Sequence, residues 1–230
     1  MQEKLKKCPI NIDRTTLKLI AIISMLIDHI GAVLFPQVEV LRWFGRLAFP
    51  IFIYQLVEGF EKTSNLKKYF GRLFLFAIIS EIPFDLCFFW KLFYFEYQNV
   101  YFELCLCLLT LTLMYKTKYN STLWKFSVLF VMSLVAILIR SDYQAFGILL
   151  TVLFYVHKNN VAIQGIGMTA ISLMFTNTTE LFGLLSLPIL ELFNVKRLPS
   201  KRFPKLLQFV FYAFYPLHII LLYFIKILFF

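Results

Sequence analysis

An all-α, polytopic transmembrane bundle of about nine spans, with a cytoplasmic N-terminus, is the fold that three observations predict. The residues are 60% hydrophobic and 19% aromatic, with a mean hydropathy of +0.76, well outside the range of soluble domains. Apolar windows of about 18 to 22 residues recur along the chain, the length that crosses a hydrocarbon layer of ~30 Å. The basic residues, which bring the net charge to +10, gather in short clusters between those windows, as in the loops of membrane proteins. No Gly/Ser linker, low-complexity stretch or long polar insertion interrupts the pattern, so residues 1–230 read as a single integral membrane domain.

The first window, 17–35, follows a tail with Lys4, Lys6, Lys7 and Arg14. It is too long for a signal-peptide core, holds Asp28 and His29 and lacks a small-residue cleavage site, which predicts an uncleaved helix. The second, 40–60, carries Arg42 and Arg46 four residues apart on one face and closes on Glu58-Gly59-Phe60-Glu61-Lys62-Thr63. The third, 69–90, carries Glu81 and Asp85 at the same spacing, with Pro83 between them loosening the helix. Windows 98–115 and 123–139 are apolar throughout most of their length. Windows 143–157, 161–175 and 180–193 are shorter, which predicts a re-entrant or interfacial segment among them or a locally thin membrane. The last, 208–229, contains Phe214-Tyr215-Pro216-Leu217-His218. With the N-terminus inside, all but five of the 23 Lys and Arg fall on the cytoplasmic side; the five are Arg42, Arg46, Lys91, Arg140 and Lys226.

Several function classes drop out on these grounds. The basic residues form no domain and no basic-aromatic surface outside the membrane, which argues against nucleic acid. Cys8, Cys87, Cys105 and Cys107 have no C-x-x-C spacing and read as small buried thiols. There is no G-x-S-x-G, H-E-x-x-H or Walker loop, and no convincing metal-ligand set.

Ionisable groups inside a bilayer cost several kcal/mol unless they pair or perform chemistry. Asp28, His29, Arg46, Glu81 and Asp85 all fall between the midplane and the outer surface, so the expectation is one hydrated pocket built from the first three spans. Such a pocket would tune His29 as a general base with a carboxylate orienting it. The plain alternatives are a snorkelling Arg46 and a helix-pinning pair between Glu81 and Arg42 or Arg46. His218, with Tyr215 on a similar face, either lines that cavity and meets a cofactor or hydrogen-bonds the carbonyl that Pro216 leaves free. Glu58 and its loop, with Lys67, Lys68, Arg72, Lys196, Arg197 and the 201–205 cluster, either attract an anionic ligand such as a CoA phosphate or simply record the inside orientation.

At Ile27-Asp28-His29, Phe44-Gly45-Arg46-Leu47-Ala48-Phe49-Pro50, Glu58-Gly59-Phe60, Ser80-Glu81-Ile82-Pro83-Phe84-Asp85, Asp142-Tyr143 with Gly147, and Phe214-Tyr215-Pro216-Leu217-His218, the chain resembles the TraX family of membrane proteins. Its named member belongs to conjugative transfer and acetylates the N-terminus of pilin. The chain departs from the pattern at Gln144, where the family has Gly after Asp-Tyr. The resemblance implies a multi-pass acyltransferase of the cytoplasmic membrane, with acetyl-CoA as donor and a peptide, glycopolymer or lipid acceptor at the outer face. In that reading His29 is the base, Asp28, Glu81 or Asp85 orients it, Arg46 stabilises the acyl oxygen, and His218, Tyr215 and Glu58 lie on the donor's route. Two rival readings are a proton-coupled permease relaying through Asp28, His29, Glu81 and Asp85, and a non-catalytic assembly protein.

Overall fold

The structure, a computed structural model, describes residues 13–119, 121–175, 178–195 and 205–229. Among them the secondary structure is helical, with one isolated β-bridge joining Gln98 and Ser141. Cys8, Lys196, Arg197 and the side chains of the 201–205 cluster lie outside the described residues.

Among the described residues ten α-helices follow the apolar windows: α1 (Arg14–Val33), α2 (Glu39–Gly45), α3 (Ala48–Lys62), α4 (Leu66–Phe89), α5 (Val100–Tyr115), α6 (Thr122–Leu138), α7 (Gln144–Val156), α8 (Val161–Met174), α9 (Ser186–Val195) and α10 (Lys205–Phe229). Several of their starts are set by short polar side chains that accept from otherwise unpaired first-turn amides. Asp13 caps α1 through Thr16 N at 2.7 Å, Asn65 caps α4 through Lys68 N, Asn99 caps α5 through Tyr101 N, and Asn160 caps α8 through Ile163 N.

Among the described residues three segments are long and apolar enough to cross a membrane, Arg14–Val33, Glu39–Lys62 and Phe209–Phe229; α5, α6, α7 and α8 are shorter apolar helices. Two windows differ from their sequence reading. The 40–60 window is not one helix: it is interrupted at Arg46 and Leu47, between α2 and α3, where Pro50 has no N–H to offer the Arg46 carbonyl. The 180–193 window begins as a 3-10 helix, Thr178–Leu185, before α9.

The core surrounds α3, whose Phe49, Ile51, Ile53, Tyr54, Val57 and Phe60 are almost wholly covered by α1, α5, α7 and α9. The outer surface is equally apolar. Phe126, Phe130 and Leu138 of α6 and Leu217, Leu221 and Phe224 of α10 stand exposed. Such wide apolar exposure in a packed protein marks a lipid-facing or partner-facing surface rather than a water-facing one. Three non-glycine residues, Trp90, Arg140 and Gln144, adopt left-handed backbone at φ 58°, 50° and 50°, each at the boundary of a helix.

Candidate functional site

Asp28 lies in the last third of α1, and α2 lies across it. Arg42 and Arg46, one turn apart, both reach the same carboxylate. Arg42 NH1 donates to Asp28 Oδ2 at 2.6 Å and to its backbone oxygen at 3.2 Å. Arg46 NH2 donates to both carboxylate oxygens, at 2.8 and 2.7 Å. The second terminal nitrogen of Arg46 donates to Glu180 Oε1 at 2.7 Å and to the Tyr143 hydroxyl at 3.4 Å. Gly45 makes this approach possible: a Cβ there would overlap Asp28 itself. Two guanidinium groups and two carboxylates thus neutralise one another in a largely buried site, tying α1, α2 and the 3-10 helix together. Both terminal nitrogens of Arg46 are engaged and its Nε is buried without a partner, so the arginine expected to stabilise an acyl oxygen is committed to Asp28 and Glu180.

His29 points elsewhere. Its Nδ1 lies 2.7 Å from Nε2 of His218 on α10, and His218 Nδ1 lies 2.7 Å from the Phe214 carbonyl oxygen. The tautomers follow from what each atom can do. A carbonyl only accepts, so His218 carries its proton on Nδ1 and presents a lone pair at Nε2. His29 must then donate from Nδ1, which leaves the lone pair of its own Nε2 unused within the pair. Phe88 and Tyr215 meet the His29 ring edge-on, each at 5.9 Å between centroids. The orienting partner of His29 is therefore a second histidine and not Asp28, Glu81 or Asp85. Nor does His218 take the carbonyl that Pro216 frees: that oxygen, on Tyr212, accepts from the Tyr101 hydroxyl at 2.8 Å.

Glu81 and Asp85 hold the segment that folds back after α4. Glu81 accepts from the Asn99 amide, and Asp85 Oδ2 accepts from Tyr94 N at 2.7 Å. Neither is paired with Arg46, so the expected five-residue pocket resolves into a charged clamp, a histidine pair and a loop anchor. Two buried acids were missed by the sequence reading. Glu180 completes the clamp, and Glu103, fully buried in α5, accepts from Ser141 and from Cys107. A lone acid inside an apolar run was the available signal for Glu103. Cys87, Cys105 and Cys107 are buried free thiols.

A cavity of about 340 Å³ opens where α1 begins and α3 ends. Arg14, Lys18, Glu58, Lys62 and Arg72 line that end; Met25, Val100, Tyr101 and Tyr215 line the deeper part. Gly59 lets the Tyr69 hydroxyl close one wall, since a Cβ would come within 2.8 Å of it. Tyr215 belongs to both features. It lines the cavity, and its ring lies 5.9 Å from His29 and 5.7 Å from His218. Among the described residues no three His, Cys, Asp or Glu converge as metal ligands.

The family profile described as TraX protein matches residues 13–226. The chain belongs to the TraX family. It is also 30% identical over 231 residues to the probable fimbrial assembly protein FimC, serogroup H1, of Dichelobacter nodosus, covering 90% of this chain and 92% of that protein. A second relative, the uncharacterized protein RP591 of Rickettsia prowazekii (strain Madrid E), is 35% identical over 66 residues, 29% of this chain and 25% of that protein. No solved structure matches.

The stretches that carry the TraX resemblance meet at few places in space. Ile27-Asp28-His29 supplies one member each to the clamp and to the histidine pair, Gly45-Arg46 and Tyr143 join the clamp, and Tyr215 and His218 join the pair. Gln144 is one of three non-glycine residues in left-handed backbone among the described residues. A glycine there carries none of the Cβ crowding that a glutamine must absorb.

Proposed function

We propose that this TraX protein is a membrane-embedded acyltransferase that moves an acetyl group from acetyl-CoA to an amine or hydroxyl of a peptide, glycopolymer or lipid at the outer face. The observation that carries the reading is the contact of the His29–His218 pair with Tyr215, the residue through which the pair borders a cavity whose opening is cationic, although neither histidine lines that cavity itself. Along α1, His29 lies about 22 Å beyond Arg14 at 1.5 Å per residue, so a donor held by its charged end at the opening places its thioester far from that end.

In this mechanism His29 Nε2 accepts the proton of the acceptor's hydroxyl or neutral amine as that atom adds to the thioester carbonyl. The carbon–sulfur bond then breaks, and the proton passes from His29 to the departing thiolate. His218, anchored by the Phe214 carbonyl, holds His29 in the required tautomer and shares the transient positive charge. The clamp on Asp28 fixes the helix turn that carries His29. The chain sits in the cytoplasmic membrane as about nine segments with the N-terminus inside, which puts the cavity opening on the side that supplies CoA. The name of the Dichelobacter relative favours a pilus or fimbrial subunit as acceptor. The permease reading has less support, because Asp28 is spent on two arginines while Glu81 and Asp85 anchor a loop.

The test is transfer of labelled acetate from acetyl-CoA by purified protein, with pilin-type N-terminal peptides and envelope polymers as acceptors, read by mass spectrometry. Labelled product from wild type and none from His29→Gln supports the reading. Equal turnover by the two proteins rejects the base assignment, and no product with any acceptor rejects the enzyme.

A further inference from the structure

We propose that the cationic end of the α1–α3–α4 cavity is a phosphate site, and that Glu58 is its built-in counter-ion, displaced when a phosphate ester enters. The proposal deepens the acyltransferase reading by saying how the donor is held, but the site needs no acyl transfer to exist.

Four cationic side chains, Arg14, Lys18, Lys62 and Arg72, line this end against the single carboxylate of Glu58. Glu58 is 5% exposed and spans two of them, at 2.7 Å to Lys62 Nζ and 3.6 Å to Arg14 Nε. The first contact is an i,i+4 pair whose carboxylate is buried but whose lysine is half-exposed, so Lys62 can turn toward another anion at its solvent side. The second is longer than a tight charged hydrogen bond. An acceptor with more oxygens can therefore take over Lys62 and Arg14, while Glu58 still faces the other cations of this wall. Donors also remain in the cavity wall, since Arg72 Nε and Gln55 Nε2 are buried without a hydrogen-bond partner. Guanidinium and ammonium groups only donate, so the complement to this wall is an anion rich in acceptor oxygens, and a phosphate satisfies more donors than a carboxylate does. Deeper in, Leu17, Ile22, Met25 and Leu104 replace the charges. The ligand is thus a phosphate carried on a slender, weakly polar chain that points toward Tyr215. Two sources have that chemistry, a soluble carrier of the CoA type and an anionic lipid of the adjacent leaflet.

The experiment is calorimetric titration of the full chain in phosphatidylcholine nanodiscs with CoA and with phosphate-free pantetheine. CoA should bind at least about tenfold more tightly at low salt, with the preference shrinking as salt rises. Equal binding of the two by wild type overturns the proposal, whatever the variants do. Glu58→Gln should tighten CoA several-fold and leave pantetheine unchanged, and Arg72→Gln should weaken CoA about tenfold; a Glu58→Gln protein that folds and binds CoA more weakly also overturns it. Nanodiscs containing phosphatidylglycerol separate the sources: lipid retained in native mass spectra of wild type, lost in Arg72→Gln and not displaced by CoA, supports a headgroup in the site, whereas displacement by CoA supports the soluble carrier. Strong CoA preference without acyl transfer keeps this site and removes the catalytic reading, while transfer without that preference does the reverse.

Discussion

Asp28 and His29 are consecutive on α1 and have opposite surroundings. The carboxylate is closed in by two arginines, and the Arg46 beside it is shared with Glu180 and Tyr143. The imidazole has one partner, and the chain of donors that starts at the Phe214 carbonyl ends on its unused lone pair. Saturation marks the first as a structural tie, because a fully paired ion has no capacity left for a substrate. The open valence of the second is what the proposed acyl transfer would use. What separates them is the ~100° turn between neighbouring helix positions, which sends one side chain to α2 and the other to α10.

The largest expected effect is at His29. His29→Gln should lower acyl transfer by about 10²- to 10⁴-fold with an unchanged melting temperature in detergent; a matching loss of stability would erase the distinction drawn here. Asp28→Ala should do the opposite, costing about 3–5 kcal/mol of stability because two guanidinium groups lose their counter-charge, as measured by thermal or denaturant unfolding. A folded Asp28→Ala protein with normal melting would break the comparison from the other side. Tyr101→Phe strips the hydrogen bond from the carbonyl opposite Pro216 and should cost about 1 kcal/mol, with slower transfer as α10 loosens around His218. The smallest effect belongs to the clamp side: Gln144→Gly should stabilise by roughly 0.5–1 kcal/mol by relieving the positive φ, and a loss of stability there would show that the glutamine side chain has its own partner.

Composition and apolar spacing were enough to predict a helical membrane protein, and the meeting of Asp28 with Arg46 was predictable from the cost of leaving either alone in lipid. The neighbours of Glu81 and Asp85 were not. A spacing of four places two residues on one face of their own helix but does not say which element that face meets. Here it meets the 90–99 segment, which has no periodicity of its own and folds back so that Tyr94 meets Asp85 and Asn99 meets Glu81. The same limit hid the histidine pair, because His29 and His218 lie 189 residues apart. The break between α2 and α3 was also invisible to hydropathy, which sees an unbroken apolar window; its signal in the sequence is Pro50, four residues beyond Arg46.

The clamp has a consequence for biogenesis. Asp28 and Arg46 leave the ribosome 18 residues apart, whereas Glu180 follows Arg46 by 134 residues. At about 5–20 residues per second, the acid that completes the site reaches the translocon roughly 7 to 27 s after the arginine. During that interval the first hairpin must shelter its own charges from lipid, so Asp28 and the two arginines travel as a partly neutralised unit, one positive charge in excess until Glu180 arrives.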